Sequence, residues 1–165
     1  MFEHAPWVAE AAAPGRPYVT VAALHQAMVQ AMRSAPHDTQ VALVRGHPEL
    51  GGRVARAGDL TASSLAEQGS LGLDRLSEEE FARFERLNAA YRERFGFPFV
   101  ICVRRHTRDS ILAQFERRLG NGAEAELAAA LVEIGRIAAL RLNAKLDGPG
   151  TVSYTHLTLP TIYSV

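Results

Sequence analysis

Residues 77–103 read SEEEFARFERLNAAYRERFGFPFVICV, and the predicted architecture is built around this stretch. Ser77 followed by three glutamates is a capping box, which predicts that a helix begins there, and Gly96 is a typical helix end. The side chains with helical spacing on its apolar face are Phe81, Phe84, Asn88, Tyr91 and Phe95. Because the amide of a buried asparagine needs hydrogen-bond partners, we expect Asn88 to bond to neighbouring backbone and not to a ligand.

The end of the same stretch, Phe97–Val103, is the one strand-like run in the chain. A single strand has nothing to pair with among helices. We therefore expect this segment to be extended and to pass between helices as a wall. Its backbone groups then lack a β-ladder, and some of them are free to face a ligand. Cys102 lies inside this apolar run, where an inert buried thiol is more usual than a nucleophile.

The sequence predicts helices on both sides of this stretch. Helical spacing and end signals place them at about Val21–Met32, Asp38–Arg45, residues 62–69 after a Thr61 cap, a segment from Thr107 or Asp109 to Gly120, and Ala123–Leu146. Trp7–Ala11 allows one short helix, and residues 51–58 are expected to form a loop or a loose helical turn. The predicted fold class is all-α, a single-domain multi-helix bundle with one extended apolar segment near residues 97–103.

Composition narrows the classes of function. The 18 basic and 18 acidic side chains balance, so no overall field attracts nucleic acid or an anionic membrane surface. No apolar run approaches the roughly 20 residues of a membrane-spanning helix. A single cysteine excludes an internal disulfide and a cysteine-based zinc cluster. We therefore expect a cytoplasmic protein without a nucleic-acid or membrane partner.

The two ends of the chain differ from its middle. The helical domain is predicted to span residues 1–147, and its abrupt start suggests that the N-terminus is clipped. Residues 148–165 form a β-prone tail with no helical period. We expect this tail to lie outside the domain, either as the stub of a following module or as an artefact of the sequence.

Two short segments place chemically versatile side chains close together. His47 is followed by a proline, which disfavours helical backbone at the histidine, so His47 is expected at the end of a helix, aimed by the turn. Most single histidines are ordinary core or surface residues. Further along, Ser64, Glu67 and Gln68 fall at i, i+3 and i+4, which is one helix face. A solvated face is the plain alternative for that pattern.

Other candidate features leave alternatives open. Arg141 lies at the edge of the apolar stripe of the last helix, where it either meets a carboxylate or an anionic ligand or extends its head to water. A metal-dependent hydrolase using His25, His37 and His47 is disfavoured because no metal-binding His spacing occurs. The glycines of residues 51–58 lack the pattern of a phosphate-binding loop.

Taken together, these segments resemble the 2-oxo-4-hydroxy-4-carboxy-5-ureidoimidazoline (OHCU) decarboxylase family. The matching segments are Phe2–Trp7 (FEHAPW), His47–Leu50 (HPEL), Ser64–Gln68 (SLAEQ), Leu87–Asn88 and Tyr91–Phe99 (YRERFGFPF). Each motif alone is weak, whereas the combination is specific and spans roughly residues 2–146. The resemblance implies an all-helical homodimer without metal or organic cofactor that converts OHCU to (S)-allantoin in urate breakdown.

The same resemblance implies roles for individual residues. His47 falls on the family's catalytic histidine, and Glu67 is the second implied catalytic residue. The implied substrate-binding residues are Pro48, Ser64, Leu65, Ala66, Glu67, Gln68, Phe99, Val100, Ile101, Cys102, Val103 and Arg141, with backbone contacts expected from residues 99–103. No metal ligand is implied.

The implied substrate carries a carboxylate on a carbon next to a ring imine. The imine accepts the electrons when CO2 leaves, which explains why a cofactor would not be needed. We expect His47 to transfer the proton, because the unperturbed pKa of histidine, about 6.5, allows proton exchange at neutral pH. The pKa of His47 itself depends on its burial and on Glu67. The alternative is a non-catalytic helical interaction module with its polar residues on an outer face. Convergence of His47, Glu67 and Arg141 on one pocket would favour the enzyme.

Overall fold

The computed structural model describes residues 1–147, apart from the side chain of Val54, and in this part of the chain eight α-helices and two 3₁₀ turns form without any β-strand. The helices are α1 (Pro6–Ala12), α2 (Val21–Ser34), α3 (His37–Arg45), α4 (Arg53–Ala57), α5 (Ala62–Ser70), α6 (Glu78–Phe95), α7 (Arg108–Leu119) and α8 (Ala123–Leu146). The turns are Ala13–Gly15 and Val103–Arg105. The all-α prediction is confirmed, whereas the expectation for residues 148–165 lies outside the described residues.

Local end signals explain most helix boundaries. The hydroxyls that cap helices as predicted belong to Thr61, Ser77 and Thr107. Gly96 ends α6 in the left-handed conformation, with φ of 76°, which glycine adopts without strain. The helix predicted at about Asp38–Arg45 begins one residue earlier, at His37, because Pro36 occupies the N-cap position. Asp38 lies in the first turn, where its charge favours the helix dipole.

The longest helix, α8, is the centre of the bundle. It packs against α2 and α3, while α1 packs on α2 and α6 on α7. The apolar stripe of α8 is buried and consists of Leu127, Leu131, Ile134 and Ala138. None of the helices in residues 1–147 combines the length and apolar character that a membrane crossing requires.

The segment between α6 and α7 is a buried wall without regular structure up to the turn that begins at Val103. Phe97 and the five residues 99–103 are at most 4% exposed. The ring of Phe99 stacks on Phe115 of α7 with centroids 3.9 Å apart, and Tyr91 of α6 contacts Phe99 edge-on at 5.5 Å. Aromatic packing against two helices therefore holds the segment that was predicted to be extended.

Candidate active site

His47 lies just beyond the end of α3, as the proline after it predicts. Its backbone N–H donates to the carbonyl of Val44 at 3.0 Å, which continues the helical turn for one residue. The side chain is buried, with 7% of the residue exposed. Its Nε2 atom is buried and has no hydrogen-bond partner among residues 1–147. A buried ring nitrogen without a partner is rare in folded proteins, so His47 is a candidate for binding a ligand.

Two amide side chains hold the loop that follows His47. The Oε1 atom of Gln68 accepts from the N–H of Gly51 at 3.1 Å, and its Nε2 donates to the carbonyl of Glu49 at 3.1 Å. Asn88 donates to the carbonyl of Leu50 at 2.9 Å, which matches the expectation that it bonds to backbone. Side chains of α5 and α6 therefore hold this loop in position. Because His47 immediately precedes the loop, they also determine the direction of its side chain.

Arg141 is the centre of an ion-pair network. Its Nε and Nη2 atoms donate to the two carboxylate oxygens of Glu67 at 2.7 and 2.9 Å. Its Nη1 donates to Glu3 at 2.7 Å and to the Met1 carbonyl at 3.2 Å, and Nη2 also donates to the Ser64 hydroxyl at 3.2 Å. All five guanidinium N–H groups are thus occupied by the protein. These contacts exclude the alternative in which Arg141 extends to water.

Glu3 is a member of this network that sequence reasoning did not single out as a site residue. It is 4% exposed and accepts hydrogen bonds from Thr61 at 2.7 Å and Ser64 at 3.2 Å, besides the one from Arg141. Burial by itself would raise the pKa of Glu3, but the hydrogen bonds from Arg141 and Thr61 outweigh it, so the pKa is lowered. The signal available in the sequence was the position of Glu3 inside the FEHAPW motif.

The electrostatic environment makes His47 neutral. Burial is the largest effect and lowers the pKa of His47 from 6.5 to about 4, because the imidazolium loses its hydration. Glu3 acts in the opposite direction, while Arg141 and His4 lower the pKa further. The sequence left the pKa of His47 open, because local sequence does not show how deeply the side chain is buried.

The predicted site residues mostly converge on one cavity. The residues that line it are His47, Pro48, Leu50, Ser64, Glu67, Gln68, Phe99, Val100, Ile101, Val103, Ile137 and Arg141. They come from the loop after α3, from α5, from the wall between α6 and α7, and from α8. His47, Glu67 and Arg141 thus meet the condition that distinguishes an enzyme from an interaction module with an outer polar face.

Three predicted substrate-binding residues lie outside this cavity. Leu65 is 41% exposed and Ala66 is also exposed, because both fall on the outer face of α5. Cys102 is buried behind the wall, and its backbone N–H donates to Glu133 at 3.0 Å. Burial raises the pKa of the Cys102 thiol, which agrees with the inert thiol expected from the sequence. These three residues do not line the cavity, and their contact with substrate stays a prediction.

The described residues contain no group of three or more His, Cys, Asp or Glu side chains arranged to hold a metal ion. Of the histidines in the metal-hydrolase alternative, His25 bonds the carbonyl of Gly135 at 2.7 Å and His37 pairs with Glu124. They do not line the cavity that contains His47. The three histidines of that alternative therefore do not form a common site.

Proteins of a known family are similar to this chain in sequence. The family model of OHCU decarboxylases matches residues 1–143. The 2-oxo-4-hydroxy-4-carboxy-5-ureidoimidazoline decarboxylase of Haloferax volcanii is 45% identical over 147 residues, which cover 89% of this chain and 85% of the relative. The corresponding enzyme of Amia calva is 42% identical over 149 residues, with 90% and 85% covered. The uric acid degradation bifunctional protein PucL of Bacillus subtilis is 38% identical over 142 residues, which cover 86% of this chain and 28% of PucL.

Solved structures share the fold. The crystal structure of an (S)-allantoin synthase superposes with a TM-score of 0.69 at 30% identity and covers 88% of this chain and 47% of that one. An OHCU decarboxylase crystallised in the presence of (S)-allantoin superposes with a TM-score of 0.62 at 19% identity, with 87% and 96% covered, which shows the fold alone. With the family match over residues 1–143, these likenesses establish that the chain belongs to the OHCU decarboxylase family.

Proposed function

We propose that this protein decarboxylates OHCU to (S)-allantoin in urate breakdown. The observation that carries the proposal is the convergence of His47, Glu67 and Arg141 on one cavity in a chain of this family. The names of its relatives, which include a protein of uric acid degradation, support the same pathway. A non-catalytic interaction module would not require a buried histidine with an unpartnered nitrogen beside a cavity.

The chemistry requires no electron sink other than the substrate. When the carbon–carboxylate bond breaks, CO2 leaves and the electron pair moves to the ring imine nitrogen, which takes a proton from solvent. The resulting enol then becomes an amide carbonyl of the ring as the hydroxyl loses its proton and the neighbouring ring carbon gains one. We propose that the enzyme acts without a cofactor, by orienting the carboxylate out of the ring plane and controlling that last proton transfer.

We assign the proton transfer to His47. Because the imidazole is neutral at pH 7, its unpartnered Nε2 can accept the hydroxyl proton and return it to the ring carbon. Its fixed position after the α3 turn delivers that proton to one face, so one enantiomer forms. The role is that of a base first and an acid second.

The ion-pair network orients the substrate in this proposal. Glu67 is held by both arms of the Arg141 guanidinium, so its carboxylate direction is set before the substrate arrives. The cavity has a volume of about 30 Å³, enough for roughly two waters, so substrate binding requires lining side chains to move. The longest contacts of Arg141, those to Met1 and Ser64 at 3.2 Å, are the ones a substrate oxygen would replace.

The remaining polar and backbone groups would recognise the ureido and carbonyl groups. Ser64 and Gln68 line the cavity with polar side chains, and Pro48 contributes an apolar edge. Phe99, Val100, Ile101 and Val103 line it from the wall segment. We also propose a cytoplasmic homodimer, as the resemblance to the family implies, and sedimentation at micromolar concentration would test the dimer.

The test is a chirality assay with OHCU generated in situ from urate. The wild-type protein should give (S)-allantoin, followed by circular dichroism, and His47→Asn should lower the rate by about 10²- to 10⁴-fold, the usual effect of losing a general acid–base. His37→Asn, at an exposed histidine outside the cavity, is the matched control. Racemic allantoin at the uncatalysed rate would refute the function, and a fully active His47→Asn protein would refute the assignment.

A further inference from the structure

Two backbone groups of the wall segment 99–103 form hydrogen bonds with charged side chains, where a β-strand would bond to a neighbouring strand. Nη1 of Arg118, on α7, donates to the carbonyl of Val100 at 2.8 Å. Oε2 of Glu133, on α8, accepts from the N–H of Cys102 at 3.0 Å. Both charged residues are buried, with 3% and 9% exposed.

The two charged side chains are themselves fixed. Nε of Arg118 donates to Glu126 at 3.0 Å, and its guanidinium stacks over the Phe99 ring at 4.4 Å from the centroid. Glu126 is fully buried and also accepts from the hydroxyl of Tyr91. Glu133 forms an ion pair with Arg136 at 2.7 Å. Hydrogen bonds to charged groups are stronger than neutral ones, so these contacts hold the wall firmly.

Several other backbone N–H groups of this wall belong to residues that line the cavity. The N–H groups of Val100, Ile101 and Val103 have no hydrogen-bond partner within residues 1–147. All three residues line the cavity that contains His47, whereas Cys102, whose N–H is bound by Glu133, does not. Buried backbone donors are almost always paired in folded proteins, so three unpaired donors beside a cavity indicate a surface for ligand acceptor atoms.

We propose that Arg118 and Glu133 are positioning residues that hold this wall in place for the backbone contacts to substrate that the resemblance to the family implies for residues 99–103. The inference rests on the proposed function. Neither side chain lines the cavity, and each acts through the backbone group that it binds. Loss of either contact should loosen binding of the substrate without removing any group that takes part in proton transfer.

The experiment compares two substitutions of Glu133. Glu133→Gln keeps an oxygen that accepts from Cys102, and Glu133→Leu removes it with little change in volume. Because one hydrogen bond to a charged acceptor is lost, KM of Glu133→Leu should rise about 10-fold, with kcat within about twofold of wild type. KM of Glu133→Gln should stay near that of wild type. The control is Glu116→Leu, which removes an exposed ion pair with Arg83.

The outcomes separate positioning from mere stabilisation. A partly unfolded variant has less active enzyme and therefore a lower apparent kcat with unchanged KM, and that result would overturn the proposal. Equal KM values in wild type and Glu133→Leu, or equal increases in both Glu133 variants, would also overturn it. If the wild-type protein forms no allantoin, the proposed function fails and the substrate role of the wall fails with it.

A second measurement tests the contact itself and does not depend on catalysis. The amide proton of Cys102 should exchange slowly with solvent in wild type and in Glu133→Gln, and at least about tenfold faster in Glu133→Leu. Arg118→Lys should leave this exchange unchanged, because Arg118 binds Val100, and it should raise KM. Exchange of Cys102 that is the same in all four proteins would show that Glu133 does not hold the wall.

Discussion

The burial of His47 should be visible as a pH dependence of stability. The pKa of the residue is about 4 in the folded protein against 6.5 in an exposed histidine. Between these values the unfolded chain binds a proton that the folded protein does not, so stability falls as pH falls. Since one pKa unit corresponds to about 1.4 kcal/mol, the loss should reach about 2 kcal/mol at pH 5 and about 3 kcal/mol at pH 4.

The perturbation that isolates this effect is His47→Asn, which cannot be protonated. The assay is urea unfolding between pH 7.5 and pH 4.5, with the difference in unfolding free energy between wild type and variant plotted against pH. Glu3, whose lowered pKa also reduces stability in acid, is present in both proteins and contributes to both curves. The variant should therefore lose less stability than wild type on acidification.

The control is His37→Asn, which reports how much of the change comes from replacing an exposed histidine. The unfolding free energy of wild type minus that of His47→Asn should fall by about 2 kcal/mol as the pH is lowered from 7.5 to 5. A difference that stays constant over this range would mean that His47 is not buried as a neutral base. The mechanism in which it first accepts a proton would then lose its basis.

Three other substitutions test the parts of the site that hold His47 and the substrate. Gln68→Leu removes both hydrogen bonds that fix the loop after His47, so it should lower the free energy of unfolding in urea by about 2–4 kcal/mol. Gln26→Leu, at an exposed glutamine, should have little effect. Gly51→Ala places a Cβ atom 2.9 Å from a core leucine at φ of 60°, so it should destabilise more than Gly58→Ala, where φ is 78° but nothing lies within 4 Å. Arg141→Lys keeps the charge but loses the two-armed contact with a carboxylate, so kcat/KM should fall about 10- to 100-fold; an unchanged value would show that the fork geometry is unimportant.

Helix positions in this protein follow from signals within a few residues. The hydroxyls of Ser77 and Thr107 cap helices because each bonds an N–H three residues ahead, and this depends only on local sequence. Gly96 ends α6 because it accepts a left-handed backbone. The start of α3 shows the limit of such signals, since the helix begins at His37, directly after Pro36, and not at Asp38 as predicted.

The composition of the site was only partly visible in the sequence. Ser64, Glu67 and Gln68 share a helix face by spacing alone, and the structure places that face toward the cavity. Leu65, from the same motif, points outward, because neighbouring positions on a helix face different directions. Glu3 was missed because nothing in its local sequence shows that it meets Arg141.

The amino-acid sequence by itself determined the helical class, most helix ends, the buried faces of the longest helices and the motifs that identify the family, because all of these arise from contacts over about four residues or from residue order. Only the tertiary structure decided which charges meet. Arg141 binds Glu67 and Glu3 across 74 and 138 residues of chain, and the pKa of His47 depends on how completely four separate segments exclude water from it. Desolvation and long-range pairing depend on the packed arrangement of the whole chain, which no short stretch of sequence encodes.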